Sequence, residues 1–182
     1  MAKIAVFLAE GFEEIEGLTV VDICRRCRID VETVSITDDR TVISSHKSPV
    51  LADITLDQAD FNSYDMLVLP GGLMGTKNLE ACDVLTGQLD AFYEAGKNIS
   101  AICAAPSIFG HRGYLKGRKA TSYPDFESHL EGAMVNHANV EVDGHVITSR
   151  GMGTSIDFAL AIASRFVGAD KAEEVAKQVM YH

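Results

Sequence analysis

Apolar residues recur along the chain with two spacings, which predict two kinds of element. Short unbroken apolar runs bounded by glycine, proline or polar clusters are typical of buried strands. Longer stretches with apolar residues three and four positions apart are typical of amphipathic helices. The strands are predicted at residues 3–9, 31–36, 65–72 and 98–103. The helices are predicted at residues 13–28, 82–93, 104–111, 154–168 and 171–180.

Two further segments predict hairpins. The stretch NVEVDGHVIT at residues 139–148 alternates between polar and apolar positions around Asp143-Gly144, a dipeptide that favours a tight turn between antiparallel strands. Residues 38–53 break into short pieces with several serines and Pro49, which predicts a small hairpin or a protruding arm. Residues 117–137 are polar and poorly periodic, so no regular element is assigned there.

Strands and helices alternate along the chain, which predicts an α/β fold. We expect a single domain, residues 1–182, with a mostly parallel central sheet between two helical layers in a flavodoxin-like sandwich. Ligand sites in such sheets lie beyond the carboxyl ends of the strands. Three segments follow strand ends and are therefore candidates for the site: AEGFEEIE at 9–16, PGGLMG at 70–75 and CAAP at 103–106.

Composition narrows the class of partner. The chain has 182 residues and a formal net charge of −10, without a basic run, so we expect no nucleic acid as a partner. The first apolar run is too short for a secretion signal, and no run reaches the length of a membrane span. We therefore expect a cytoplasmic protein without a membrane partner. Its four cysteines are expected to be thiols rather than disulfides.

Cys103 lies between a predicted strand and a predicted helix. A side chain at such a sharp turn stands above the sheet, as in a nucleophile elbow, and the small residues Ala101, Ala104 and Ala105 allow the close approach. The following helix N-terminus is expected to stabilise a thiolate. The amides of Ala104 and Gly72 are candidate donors to an oxyanion. The alternative is a buried structural cysteine, and this stretch alone favours neither.

Four motifs together resemble a known family. LAEGFEEIE, DMLVLPGG, AICAAP and ITSRGMGTSIDFALAI occur in the order and spacing of the ThiJ/PfpI superfamily, which contains the human parkinsonism-associated protein deglycase and its bacterial relatives. The resemblance covers nearly the whole chain. It implies that Cys103 is the nucleophile, that Glu16 is its acidic partner and that the protein is a homodimer. Because a carboxylate and a thiolate repel each other, the two side chains are expected to share one proton.

The sequence departs from the family pattern at two positions. A histidine directly follows the cysteine in the protease-like and amidotransferase-like branches, whereas this chain has Ala104, which argues against an amidase or peptidase. The resemblance also places Tyr123 where the deglycase has a pocket histidine. Tyr123 is either a pocket residue or a packed loop aromatic. His46 lies in the 38–53 arm, and the resemblance implies that this arm reaches the site of a partner subunit.

The remaining motifs do not indicate a redox, metal-binding or nucleotide-binding site. Cys24 and Cys27 have the spacing of a redox pair but lie late in a predicted helix, so we expect core or interface cysteines, and Cys82 is expected to begin a helix. The six histidines show no metal-ligand spacing, so we expect no metal. The segment PGGLMG has neither a Walker lysine pattern nor G-x-G-x-x-G, so no nucleotide and no other cofactor is expected.

The sequence and the resemblance together predict cofactor-independent thiol chemistry on a small reactive carbonyl compound. The substrate would be methylglyoxal or its early adducts, as in glyoxalases and deglycases. The alternative is a sensor of oxidative stress, or a redox chaperone, in which Cys103 is oxidised. Some family members carry a label for thiazole phosphate biosynthesis, which the residues do not support because no phosphate-binding loop is present.

Overall fold

The computed structural model describes residues 1–181 and contains a seven-stranded sheet with a hydrophobic core on each face. Eleven strands and six α-helices are present in the described part of the chain. The strands are β1 Lys3–Leu8, β2 Asp30–Ser35, β3 Thr41–Ile43, β4 Pro49–Leu51, β5 Ile54–Thr55, β6 Met66–Leu69, β7 Asn98–Ile102, β8 Lys119–Ala120, β9 Met134–Val135, β10 Val140–Asp143 and β11 Val146–Ser149. The helices are α1 Glu14–Arg26, α2 Leu73–Glu80, α3 Asp83–Glu94, α4 Pro106–His111, α5 Ser155–Val167 and α6 Ala169–Gln178.

The main sheet has the strand order β10-β11-β7-β6-β1-β2-β5. Every neighbouring pair is parallel except β10 and β11, which form the antiparallel hairpin predicted around Asp143-Gly144. The carboxyl ends of β1, β6 and β7 therefore lie side by side at one edge. The predicted α/β sandwich with a mostly parallel sheet is confirmed, and the three candidate segments meet at that edge.

The two faces of the sheet hold separate hydrophobic cores. One core packs side chains of α1, α5 and α6 against the sheet, among them Val20, Phe158 and Val175. The other contains side chains of α2, α3 and α4, among them Leu79 and Phe109. Both cores consist mainly of fully buried aliphatic and aromatic residues, which fix the strand ends that position the site. No helix within residues 1–181 combines the length and the hydrophobicity needed to span a membrane.

The structure differs from the sequence prediction in two elements near the site. The strand predicted within 65–72 ends at Leu69 before the expected Pro-Gly-Gly turn, but the helix α2, which was not predicted, begins directly after Gly72. The helix predicted at 104–111 begins only at Pro106, so Ala104 and Ala105 belong to a turn. Turn backbone therefore surrounds the carboxyl ends of the strands.

The hairpin predicted within residues 38–53 is present, and in it β3 pairs with β4 in antiparallel register. The segment 117–137, to which no regular element was assigned, contains the short parallel pair of β8 and β9 and a 3-10 helix, Pro124–His129. The helix α5 ends at Val167 and is followed by Gly168, whose φ of 83° is a left-handed conformation that favours glycine.

Candidate active site

Cys103 occupies a strained backbone position at the end of β7. Its φ is 66°, a left-handed conformation that is uncommon for residues other than glycine. Its N–H donates to the carbonyl of Ser149 at 3.0 Å, and its carbonyl accepts from the N–H of Tyr123 at 2.9 Å. Such conformations cost about 1–3 kcal/mol and persist only where the surroundings enforce them. The elbow predicted from the sequence is therefore present.

Two glycines bring the turn between β6 and α2 onto the elbow. A Cβ added to Gly71 would lie 2.6 Å from both the Cβ of Cys103 and Oε2 of Glu16. Gly72 has a φ of 87°, and a Cβ there would lie 2.4 Å from the carbonyl oxygen of Gly11. No other residue fits at either position without displacing backbone or site atoms. Gly71 was not among the predicted site residues, although it stands in the Pro-Gly-Gly motif.

Glu16 reaches the elbow from α1 and is almost completely buried, with 1% of its surface exposed. Its Oε2 accepts a hydrogen bond from the N–H of Gly71 at 2.8 Å. Burial raises the pKa of Glu16 from its ordinary 4.5 to about 7, opposed by hydrogen bonds from Gly71 and Cys103. The structure thus brings together Glu16 and Cys103, as the sequence predicted.

The thiol does not have the lowered pKa that the sequence predicted from a helix N-terminus. Burial, and next the charge of an ionised Glu16, raise the pKa of Cys103 to about 12, whereas the amides of Gly72 and Ala104 lower it. The physical reason is that α4 begins only at Pro106 and is six residues long, so burial outweighs its dipole.

The two acidic side chains titrate as a pair. The charge of Glu16 raises the pKa of Cys103 only while Glu16 is ionised. Because two such close groups do not both ionise readily, the pair keeps at least one proton across neutral pH. The amides of Gly72 and Ala104 face the sulfur, so both predicted backbone donors are directed at the reacting atom.

A cleft lies beside this pair, and Gly151 is the residue of its lining that comes near both side chains. A Cβ built on Gly151 would lie 3.9 Å from Sγ of Cys103, 3.9 Å from Oε1 of Glu16 and 3.6 Å from the ring of Tyr123. Because Gly151 has no side chain, space remains directly over the sulfur. The cleft has a volume of about 460 Å³, and Tyr123 and Arg150 contribute to its walls. The structure therefore places Tyr123 in the wall of a pocket, with 46% of its surface exposed. Gly151 was missed by the sequence analysis, although it belongs to the quoted motif ITSRGMGTSIDFALAI.

His46 lies away from the elbow within one chain. It stands at the turn between β3 and β4, with most of its side chain exposed, and its Nδ1 lies 3.2 Å from a carboxylate oxygen of Glu14 and 3.0 Å from Oγ of Ser45. The hydrogen bond with Glu14 and the nearby carboxylate charges raise the pKa of His46. A contact in trans to the site of a second subunit stays a prediction, as does the homodimer.

The fold also brings together groups that could hold a metal ion. One atom from each of Glu13, Glu14 and His46 lies within 4.8 Å of the others. Sequence spacing did not indicate this cluster because His46 comes from a hairpin and the two carboxylates from the start of α1. The last of the six histidines, His182, lies outside the described residues.

The other cysteines occupy the places predicted for them. Cys24 and Cys27 are buried, and burial raises the pKa of both thiols. The thiol of Cys24 faces the carbonyl oxygen of Ala159 in α5 at 3.9 Å. Cys82 is the residue before the first turn of α3. These positions confirm that the CRRC motif supplies core residues.

A comparison with models of known protein families shows to which family the chain belongs. The model of the DJ-1/PfpI family matches residues 2–165. The chain belongs to this family. The resemblance stated from the four motifs is therefore confirmed.

Curated relatives of this family are similar over almost the whole chain. Protein DJ-1 homolog B of Arabidopsis thaliana is 39% identical over 179 residues, which are 98% of this chain but 41% of that protein. The chain thus spans less than half of that relative's length. Protein dj-1beta of Drosophila melanogaster is 37% identical over 183 residues, with 99% of this chain and 98% of that protein covered. Glutathione-independent glyoxalase DJR-1.2 of Caenorhabditis elegans is 28% identical over 169 residues, 92% of this chain and 90% of that protein.

Solved structures of the family share the fold. A DJ-1 superfamily protein from Salmonella typhimurium, crystallised as a cysteine-to-alanine mutant, has a TM-score of 0.93 and 37% identity, with 100% of each chain covered. Toxoplasma gondii DJ-1, in a structure described as oxidized, has a TM-score of 0.95 and 31% identity, with 100% of this chain and 99% of that chain covered. The fold predicted from the sequence is thus shared by both.

Proposed function

We propose that this protein is a cofactor-independent, cysteine-dependent enzyme of the glyoxalase or deglycase type. Its substrate would be methylglyoxal or the early adducts of methylglyoxal with amines and thiols. The observation that carries this proposal is the position of Sγ of Cys103, which lies against the carboxyl group of Glu16 and faces the amides of Gly72 and Ala104. The name of the nematode relative, a glutathione-independent glyoxalase, supports the reaction class.

In the reactive form of the pair, Glu16 carries the proton and Cys103 is the thiolate. A sulfur anion at Cys103 accepts hydrogen bonds from the amides of Gly72 and Ala104 and also from the O–H of Glu16. In the opposite arrangement a thiol, which is a weak donor, faces a carboxylate. Hydrogen bonds to the charged form stabilise it, so the donors favour the thiolate once the charge of Glu16 has gone.

The first step is addition of the thiolate to the aldehyde. A bond forms between Sγ and the carbonyl carbon, and the π electrons of the carbonyl move to its oxygen. That oxygen develops negative charge where the amides of Gly72 and Ala104 can donate, and it takes the proton of Glu16. The product is a hemithioacetal on Cys103, and Glu16 is left as a carboxylate.

The following steps use the same two side chains. The Glu16 carboxylate removes the proton from the former aldehyde carbon and returns it to the neighbouring carbon. The hydroxyl proton on the former aldehyde oxygen passes to the former ketone oxygen, so the hemithioacetal becomes a thioester of a 2-hydroxy acid. Water then cleaves the thioester, releases lactate and restores the thiol. The net reaction consumes one water and needs no external oxidant or reductant. With a hemiaminal as substrate, the thiolate replaces the amine at the former aldehyde carbon: the C–S bond forms, the C–N bond breaks, and the amine leaves with the proton of Glu16. The hemithioacetal formed in this way follows the same later steps.

Peptide hydrolysis has less support from the site. Cleavage of an amide requires a base that activates the thiol and then protonates the departing amine. Ala104 occupies the position at which such branches of the superfamily have a histidine. We therefore place aldehyde addition ahead of peptidase or amidase chemistry.

A second candidate function is the sensing of oxidants. Gly151 leaves space over the sulfur, and a protonated Glu16 can donate to an oxygen added there, which would stabilise a sulfinate formed by peroxide. The structure of the Toxoplasma relative, described as oxidized, supports the same possibility for this chain. A redox chaperone would use the same cysteine.

The deciding experiment follows methylglyoxal and lactate in D₂O without glutathione, with protein that has been chelated and desalted. We expect one lactate for each methylglyoxal consumed, with deuterium at carbon 2 because the migrating proton passes through the exchangeable carboxyl group of Glu16. Cys103→Ser is the control and should form no lactate. Absence of lactate, with rapid peroxide oxidation of Cys103 to a sulfinate, would overturn the enzyme in favour of the sensor. Activity that returns only with an added metal ion would contradict the cofactor-independent mechanism.

A further inference from the structure

A second cluster of ionisable side chains lies at the far end of α4 from Cys103. It consists of Glu80 at the end of α2, His111 at the end of α4 and His129 at the end of the 3-10 helix Pro124–His129. The chemistry proposed for Cys103 does not use these residues. Three separate elements thus end at one point on the surface.

The two imidazole rings face each other through their nitrogen atoms. Nε2 of His111 lies 3.0 Å from Nδ1 of His129, and the ring planes are inclined by 80°. The other nitrogen of His111, Nδ1, lies 2.6 Å from Oε1 of Glu80. A carboxylate at Nδ1 holds the N–H there, so the lone pair of His111 is on Nε2 and is directed at His129.

The arrangement is fixed by close backbone packing. A Cβ built on Gly110 would lie 1.9 Å from the carbonyl oxygen of His129, so only glycine lets α4 and the 3-10 helix approach so closely. The ring of Phe126 lies 5.8 Å from that of His129 and supports it from one side. About a third of the side chains of His111 and Glu80 stays exposed, which leaves the nitrogen pair accessible to small ions.

We propose that His111 and His129 bind a divalent transition-metal ion of the class that prefers imidazole nitrogen, such as Zn²⁺, Ni²⁺ or Cu²⁺. Metal–nitrogen bonds are about 2.0–2.1 Å long, so two ligands of a tetrahedral ion lie roughly 3.3 Å apart. The two nitrogen atoms are already 3.0 Å apart. An ion at that bond length from both would lie about 1.4 Å to one side of the line that joins them, and the proton of their hydrogen bond is released. Glu80 is a positioning residue that orients His111, and water completes the coordination.

Bound metal would connect this surface to the elbow. The helix α4 starts three residues after Cys103 and ends at His111. The 3-10 helix starts directly after Tyr123, in the cleft wall, and ends at His129. The ion would therefore hold together the far ends of two elements whose near ends form the site. Because it binds only the folded arrangement, it should raise the melting temperature.

The test is a Zn²⁺ titration by calorimetry of the full chain carrying Cys103→Ser, which removes the thiol of the candidate active site as a competing ligand. We expect His111→Ala and His129→Ala each to weaken binding by about tenfold or more, and Glu80→Gln to weaken it by about tenfold. His46→Ala is the matched control, since it belongs to the other candidate cluster, and should leave the affinity unchanged. The increase in melting temperature with Zn²⁺ should disappear in the two histidine variants alone.

A second readout does not depend on a mutation at the cluster. In nitrogen-15 spectra of histidine side chains, Zn²⁺ should shift the resonances of Nε2 of His111 and Nδ1 of His129 before those of any other histidine. Equal affinity in the parent and in the His111→Ala and His129→Ala variants would overturn the proposal. Loss of binding in His46→Ala would overturn it as well, because the ion would then belong to Glu13, Glu14 and His46.

Discussion

Cys103 and Cys24 are both held away from bulk water, and burial raises the pKa of both thiols. Cys24 lies inside α1 with no exposed surface, and the polar atom it faces is the carbonyl oxygen of Ala159. Cys103 has a carboxyl group beside it, amides of Gly72 and Ala104 directed at its sulfur, and open space above it. Cys24 is fully buried and Cys103 only partly buried, but the pKa of both thiols is raised, so a raised pKa does not separate the two cysteines.

This difference is the reason why we propose Cys103, and not Cys24, as the reactive thiol. A thiolate needs donors that stabilise its charge and a neighbour that takes up or returns the proton. Cys103 has both, through the amides and through Glu16, whereas the carbonyl oxygen near Cys24 can only accept. A positive φ at Cys103 directs its side chain out of the sheet, whereas the helical backbone at Cys24 directs its side chain into the core.

The largest expected effect tests whether this difference matters for turnover. Cys103→Ala should lower the rate of lactate formation by about a thousandfold or more, because the nucleophile is lost. Cys24→Ala should keep turnover within a few-fold but lower the unfolding free energy by about 1 kcal/mol or more, because it leaves a cavity in the core. Steady-state kinetics and denaturant unfolding of both variants measure this. The reverse pattern would mean that the comparison names the wrong cysteine.

The next largest effect on turnover is expected from the carboxyl group of Glu16. Glu16→Gln should lower kcat/KM by about a hundredfold, because proton transfer to and from the substrate is lost. Glu13→Gln, in the turn before α1, is the matched control and should change kcat/KM by only a few-fold. Equal losses in the two variants would show that overall negative charge, rather than a specific proton carrier, supports the reaction.

The shared proton also predicts how stability depends on pH. Because the pKa of Glu16 is raised from 4.5 to about 7, the folded state keeps a proton that the unfolded chain has released. Its contribution is fully present below pH 4.5 and is lost as the pH rises through about 7, by up to about 3 kcal/mol. Denaturant unfolding of the wild type and of Glu16→Gln between these values measures the difference. A wild-type curve parallel to that of Glu16→Gln would argue against the raised pKa.

The smallest expected effect comes from the different backbone conformations at positions 103 and 24. At position 103 the φ of 66° favours glycine, so Cys103→Gly should be more stable than Cys103→Ala by about 1 kcal/mol. At position 24, inside α1, the order should be reversed by about 1 kcal/mol. Thermal unfolding of the four variants tests this. The same order of stability of the glycine and alanine variants at both positions would contradict the claim that the backbone at Cys103 is strained.

The sequence predicted the fold well where spacing alone determines the element. The four buried strands and the helix α5 followed from apolar runs and an apolar stripe. The helix α2 was missed because LMGTKNLE contains a glycine and begins at a Pro-Gly-Gly turn, and both features suggest a loop. The late start of α4 was missed because Ala104 and Ala105 fit a helix as well as a turn.

The sequence predicted those site residues that lie next to strand ends. Cys103, Glu16 and Gly72 followed from motifs, and the structure brings them together. The raised thiol pKa could not be predicted, because it depends on how deeply the fold buries the pair. Gly151 and the pairing of His111 with His129 depend on contacts between elements distant in the sequence, which no local pattern records.

The central claim is that Glu16 and Cys103 titrate as one coupled pair, and the thiol titration tests it most directly. The ultraviolet absorbance of the thiolate is followed against pH in the wild type, Glu16→Gln and Glu13→Gln, each corrected by a Cys103→Ala variant. We predict that Glu16→Gln lowers the pKa of Cys103, because it removes the carboxylate charge that raises this pKa, and that Glu13→Gln shifts it far less. No shift in Glu16→Gln, or an equal shift in the two variants, would contradict the account, because the thiol would then titrate independently of Glu16.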